Sequence, residues 1–140
     1  MKKISVIFFA LALAVIACKK EDKPYDGAAQ VAFANTTYAF KITKDTTVVI
    51  PVQLISNAAQ PSFTVKVAAD SSAVGTIVGT SVFPATYTFD NNRFITNVSI
   101  NASFAGFGAD KSKALRLKLS SDSKKVAENY KTTIVTFSRN

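Results

Sequence analysis

From Gln30 onward, apolar and polar residues alternate along most of the chain with a period of two. That period places successive side chains on opposite faces of a strand. Val31 and Phe33 mark a short strand over 30–34, and Asn35-Thr36-Thr37 reads as a bend. Tyr38, Phe40 and Ile42 mark a second strand, followed by a polar turn at Lys44-Asp45. The clearest alternation comes next, with Val48, Ile50, Val52 and Leu54 on one face and Thr47, Val49, Pro51 and Gln53 on the other. Pro51 has no N–H to give to a ladder, so it predicts either an edge strand or an irregular position opposite it. Phe63, Val65 and Val67 alternate with Thr64 and Lys66, and Asp70-Ser71-Ser72 breaks the run. Between Gly75 and Gly79, Thr76-Ile77-Val78 reads as a small strand or an extended loop.

In the second half, Tyr87 and Phe89 lead to Asp90-Asn91-Asn92, a tight turn in which Asn accepts positive φ. Phe94, Thr96, Val98, Ile100 and Ala102 then share one face, and Ile95, Asn97, Ser99 and Asn101 share the other. Leu115, Leu117 and Leu119 alternate with Arg116 and Lys118, which predicts a strand with long basic residues on its wet face. Ser120 to Ala127 is polar and reads as a long turn. The last strand runs from about Tyr130 to Phe137, with Thr133, Val135 and Phe137 assigned inward. No stretch sustains the i, i+3, i+4 spacing of an amphipathic helix, and short turns separate the β-branched runs, so the chain reads as an all-β sandwich. A small closed barrel has the same periodicity. An outer-membrane barrel is not expected, because its outside is an apolar band, whereas these wet faces carry Lys66, Arg116 and Lys118.

The N-terminus follows a different pattern. Lys2 and Lys3 precede an unbroken, mostly apolar run that ends at Ala17-Cys18, and Lys19-Lys20-Glu21-Asp22 follows at once. A basic start, an apolar middle and a small residue make a secretory signal peptide. The run is shorter than the roughly 20 residues that cross a bilayer. Val15-Ile16-Ala17-Cys18 resembles the lipobox of bacterial lipoproteins, which implies cleavage before Cys18 and acylation of its sulfur. The charged residues after Cys18 resemble the segment that follows the cysteine in surface-exported lipoproteins of the Bacteroidota. The resemblance implies outer-membrane anchoring with outward display; an anchor facing the periplasm is the alternative. Residues 1–17 are thus a signal peptide, 18–27 a lipidated cysteine with a flexible charged tether, and 28–140 one domain. At about 110 residues that domain is long enough for its own hydrophobic core.

Composition narrows the chemistry further. The chain has 17 Lys and Arg against 9 Asp and Glu, no His, no Trp and a single Cys. Without His there is no Ser-His-Asp triad, no Cys-His pair and no histidine pH switch. With Cys18 acylated there is no disulfide, so packing alone stabilises the fold. The acids of the domain, Asp45, Asp70, Asp90, Asp110, Asp122 and Glu128, all fall in turn-like stretches, and none is paired as glycoside hydrolysis requires. No enzyme, cofactor or metal is expected. Lys66, Arg116 and Lys118 form a modest basic stripe that is assigned to solvation, with no nucleic-acid partner. The candidate ligand or partner contacts are Phe104 and Phe107 in the glycine-spaced stretch Phe104-Ala105-Gly106-Phe107-Gly108, with Tyr87 and Phe94 as further aromatics expected near the same end. Exposed aromatics anchor interfaces. The competing reading, favoured here, has Phe104 and Phe107 plug the open end of the core.

With the strands placed, the stretch from Val31 to Phe137 resembles the Calx-beta and related immunoglobulin-like modules, particularly those carried by small Bacteroidota lipoproteins. The likeness rests on Val48-Val49-Ile50-Pro51-Val52, Val65-Lys66-Val67-Ala68-Ala69-Asp70, Tyr87-Thr88-Phe89, Leu115-Arg116-Leu117-Lys118-Leu119-Ser120 and Thr132-Thr133-Ile134-Val135-Thr136-Phe137. It implies an immunoglobulin-like antiparallel β-sandwich of about seven strands. Calcium-binding members of that family place an acid just ahead of the Leu-x-Leu strand, where this chain has Lys113 and Ala114. Calcium takes six to eight oxygen ligands, so calcium binding is not expected. The functional expectation is a membrane-anchored envelope lipoprotein with a structural or protein-interaction sandwich. The alternative is a surface glycan-binding lipoprotein.

Overall fold

A computed structural model describes residues 25–69 and 83–139. The apolar N-terminal run, Cys18, most of the tether, the Asp70–Ser72 break and the Thr76–Val78 run lie outside the described residues. Among the described residues there are nine strands: β1 (Gln30–Phe33), β2 (Thr37–Ile42), β3 (Thr46–Ile55), β4 (Phe63–Ala69), β5 (Ala85–Phe89), β6 (Ile95–Ala102), β7 (Ser112–Ser120), β8 (Lys125–Val126) and β9 (Thr132–Arg139). They form a four-stranded sheet in the order β6-β3-β1-β8 and a five-stranded sheet in the order β2-β9-β7-β4-β5.

The core lies between the sheets and is built from the alternating sets. Val48, Ile50, Val52 and Leu54 of β3 are buried, with Val98, Ile100 and Ala102 of β6 beside them. Phe63, Val65 and Val67 of β4, Leu115, Leu117 and Leu119 of β7, and Thr133, Val135 and Phe137 of β9 supply the opposite wall. Each alternation puts every second residue into this layer, and burying one aliphatic or aromatic side chain contributes about 1.5–3 kcal/mol. Phe63 and Phe89 stack with centroids 4.7 Å apart, and the Lys124 ammonium lies 5.4 Å from the Phe63 ring centroid.

The architecture departs from a seven-stranded, wholly antiparallel sandwich in two places. The chain leaves the first sheet after Phe33, crosses at 34–36 and continues in the same direction as β2, which pairs parallel with β9 from Thr37 opposite Ile134 to Ile42 opposite Arg139. One stretch of chain is therefore divided between the two sheets. The Ser120–Ala127 stretch contains β8, two residues that pair parallel with β1. A two-residue bridge is too short to show a period, so it reads as a turn in sequence.

Pro51 also has an explanation. β3 lies between β6 and β1, so Pro51 does not mark an edge. The β1–β3 ladder ends where Phe33 faces Val52. The Pro51 carbonyl accepts the Ala34 N–H at 3.1 Å. A residue's N and carbonyl point the same way from a strand, so the missing N–H faces the point where β1 has already ended.

The β5–β6 connection is the turn anticipated at Asn91-Asn92. The Arg93 N–H donates to the Asp90 carbonyl at 3.0 Å, and Asn92 has φ 64°. A positive φ at the third position is the type II arrangement that Asn tolerates. The Asn91 side-chain oxygen accepts the Ser62 N–H at 2.7 Å, tying this turn to the loop before β4.

Candidate ligand-binding surfaces

The glycine-spaced aromatic segment forms the loop between β6 and β7. The Asp45 carboxylate, in the turn between β2 and β3, accepts the Phe104 N–H at 2.7 Å and the Ser103 hydroxyl at 3.4 Å. Ala105–Phe107 then makes a single 3₁₀ turn, closed by the Gly108 N–H on the Ala105 carbonyl at 3.2 Å. Gly108 has φ 55°, a conformation side-chain-bearing residues seldom adopt. The Lys113 ammonium donates to the Gly106 carbonyl at 2.9 Å and lies 3.5 Å from the Asp110 carboxylate, so a cation ties the loop to the start of β7.

This scaffold turns Phe107 inward. It is 1% exposed and belongs to the core. Phe104 is half-buried and packs against the core, its ring centroid 6.4 Å from that of Phe107. Phe107 thus fills the end of the core, and Phe104 offers only part of its ring to a ligand. Asp45, which orients both through the backbone, was not distinguished in sequence from an ordinary turn acid.

Phe94 and Tyr87 do not join them. Phe94 immediately precedes β6 and Phe104 follows its end, so the two phenylalanines lie at opposite ends of that strand. Phe94 is 41% exposed and its carbonyl accepts the Leu54 N–H at 2.8 Å. Tyr87 is half-buried among core-facing residues, and burial pushes its phenol up from its ordinary pKa. Cys18 lies outside the described residues.

Two further acids have ion-pair partners. Asp122 pairs with Lys66 at 2.8 Å, and Glu128 pairs with Lys131 at 2.6 Å. The hydrogen bond and charge of Lys131 lower the Glu128 pKa. Among the described residues no group of three or more His, Cys, Asp or Glu stands close enough to hold a metal ion. The chain contains no histidine, and its described acids are dispersed over separate turns.

The two outer sheet faces differ in chemistry. On the five-stranded sheet the outward positions include Lys41, Lys66, Arg116 and Lys118. Lys66 spends its charge on Asp122, while Lys118 lies between Ala68 and Thr132. On the four-stranded sheet the outward residues of β3 and β6 face each other in rows: Thr47 opposite Asn101, Val49 opposite Ser99, Pro51 opposite Asn97, and Gln53 opposite Ile95. None of these is charged. The Thr47 hydroxyl donates to the Asn101 side-chain oxygen at 2.8 Å. Val49 and Ile95 are 46% and 58% exposed. Both outward sets are legible in the sequence alternation, but their union on one surface depends on the β3–β6 register.

No family model matches the chain, and no curated protein matches it. Solved structures do. The apo form of the Calx CBD1 domain is 11% identical with a TM-score of 0.63, the match covering 81% of this chain and 99% of that one. CBD12 from CALX1.2 is 12% identical with a TM-score of 0.58, covering 79% of this chain and 45% of that one. The fold is an immunoglobulin-like β-sandwich of the Calx-beta type. A candidate carbohydrate-binding protein from Bacteroides ovatus ATCC 8483 shares it at 16% identity and a TM-score of 0.59. That match covers 78% of this chain, which spans 36% of the other protein's length. At these identities the likeness is one of fold.

Proposed function

We propose that this chain is a lipid-anchored envelope protein whose β-sandwich binds carbohydrate without transforming it. The observation that carries the reading is the shared fold with the candidate carbohydrate-binding protein of Bacteroides ovatus, over 78% of this chain. The absence of histidine and the dispersal of the described acids support binding rather than turnover. The apolar run ending at Ala17-Cys18 supports the anchor and an outer-membrane, surface-displayed location. β1 begins at the end of the sandwich opposite the β6–β7 loop.

The test is retention of the full chain, solubilised from membranes in mild detergent, on immobilised polysaccharides. Saturable retention with no release of reducing ends is expected. Failure to bind any polysaccharide, or cleavage of one, contradicts the reading. The anchor is tested separately by Cys18→Ser, which moves the protein from the membrane to the soluble fraction. An unchanged membrane fraction contradicts acylation at this residue.

A further inference from the structure

We infer that the outer face of the four-stranded sheet, along β3 and β6, is a binding surface for an uncharged oligosaccharide. The inference rests on the carbohydrate-binding reading and names the site and the ligand class within it. Three observations meet on this face. The first is charge: 19% of the chain is charged, yet none of the outward residues from Thr47 to Gln53 or from Ile95 to Asn101 is. The outward positions of the opposite sheet include Lys66, Arg116 and Lys118. Removing charged side chains from water is costly, and the centres of binding surfaces are depleted of them.

The second observation is the mixture of groups. Three of the four cross-strand rows pair one apolar with one polar side chain: Val49 with Ser99, Pro51 with Asn97, and Ile95 with Gln53. Amides and hydroxyls supply donors and acceptors together, matching the hydroxyls of a sugar. The exposed aliphatic groups match its C–H faces. An anionic glycan finds no cation here, whereas a neutral one meets both halves of its chemistry.

The third is access. Val49 at 46% and Ile95 at 58% are two of the four large hydrophobic residues that are exposed among those described. Among the described strands β6 pairs only with β3, so the face is open along one side. Its four rows extend over about 20 Å at the strand rise of roughly 3.4 Å per residue, which suits several linked sugars rather than one.

The test uses the full chain in detergent against an array of neutral, sulfated and carboxylated oligosaccharides, followed by titration calorimetry with the best ligand. Binding of a neutral oligosaccharide is expected, weakened at least tenfold by Ile95→Lys and by Asn97→Ala with an unchanged melting temperature, and unaffected by Lys118→Ala. If Ile95→Lys lowers the melting temperature, Asn97→Ala and Val49→Thr decide the matter. Selective binding of sulfated or carboxylated ligands, lost in Lys118→Ala, overturns the inference and leaves carbohydrate binding standing. So does a neutral ligand indifferent to these β3 and β6 variants but lost in Phe104→Ala. If no oligosaccharide binds, both this inference and the reading beneath it fall, as they do if the face is instead occupied by a stoichiometric envelope protein.

Discussion

Asp45 has more consequence than its position in a two-residue polar turn suggests. Its carboxylate receives the Phe104 N–H and the Ser103 hydroxyl, and so fixes the backbone from which Phe107 enters the core. Hydrogen bonds to a charged group contribute about 1.5–3 kcal/mol when sheltered, and less at an exposed site such as this. Asp45→Ala is expected to lower unfolding free energy by about 1–2 kcal/mol in urea titration, with Asp45→Asn restoring most of it because the amide oxygen still accepts. A loss confined to the noise for Asp45→Ala shows that the loop holds itself. Thr133 presents the reverse case. It is fully buried, and its hydroxyl finds no hydrogen-bond partner among the described residues. Thr133→Val removes a desolvated polar atom at nearly constant volume and should raise stability by about 1 kcal/mol. A loss of similar size implies a partner for that hydroxyl. The sequence assigned Thr133 inward correctly from its neighbours Val135 and Phe137, but nothing in it shows whether a buried hydroxyl is satisfied.

At the level of elements, legibility followed length and alternation. β3, β4, β6, β7 and β9 each run long enough for the period of two to fix which side faces the core; in β3, β4, β7 and β9 the inward set is the buried set, and in β6 it holds for Val98, Ile100 and Ala102, while Thr96 is half-buried and Phe94, ahead of the strand, is exposed. Neighbouring residues of β3 should therefore behave as opposites. Ile50→Ala empties part of a fully buried site and is expected to cost about 2–5 kcal/mol. Val49→Ala changes an exposed position, 46% accessible, and should stay within about 0.5 kcal/mol. Equal costs in chemical denaturation contradict the register of this strand. The parts that were not legible are those set by tertiary contact. β8 is two residues long and exists because it lies beside β1. β2 changes partner sheet through a bend that resembles any other bend in composition. Pro51 left two readings open in sequence, and only the placement of β1 shows that it sits in an interior strand opposite the point where β1 ends. The loop aromatics show the same limit: glycine spacing marks a loop, but the Asp45 contact, more than fifty residues away in sequence, decides that Phe107 turns inward.

The whole molecule is organised by the difference between its two outer faces. One carries Lys41, Lys66, Arg116 and Lys118, whereas the other is uncharged along β3 and β6, although both flank the same apolar core. The fold was readable early, because it depends on repeated alternation. The shared surface was not, because it requires β3 and β6 to be aligned. The same whole-molecule view bears on calcium. Where calcium-binding members of the family that the sequence resembles carry an acid ahead of the Leu-x-Leu strand, Lys113 places its ammonium 3.5 Å from Asp110. Millimolar calcium is therefore expected to leave the melting temperature unchanged, and a rise of several degrees contradicts that assignment. The most direct test of the central claim is calorimetric titration of the full chain with an oligosaccharide selected from the array, with chromatography of the ligand before and after. The account predicts saturable binding with the oligosaccharide recovered intact. No heat of binding with any carbohydrate, or recovery of shortened products, contradicts it.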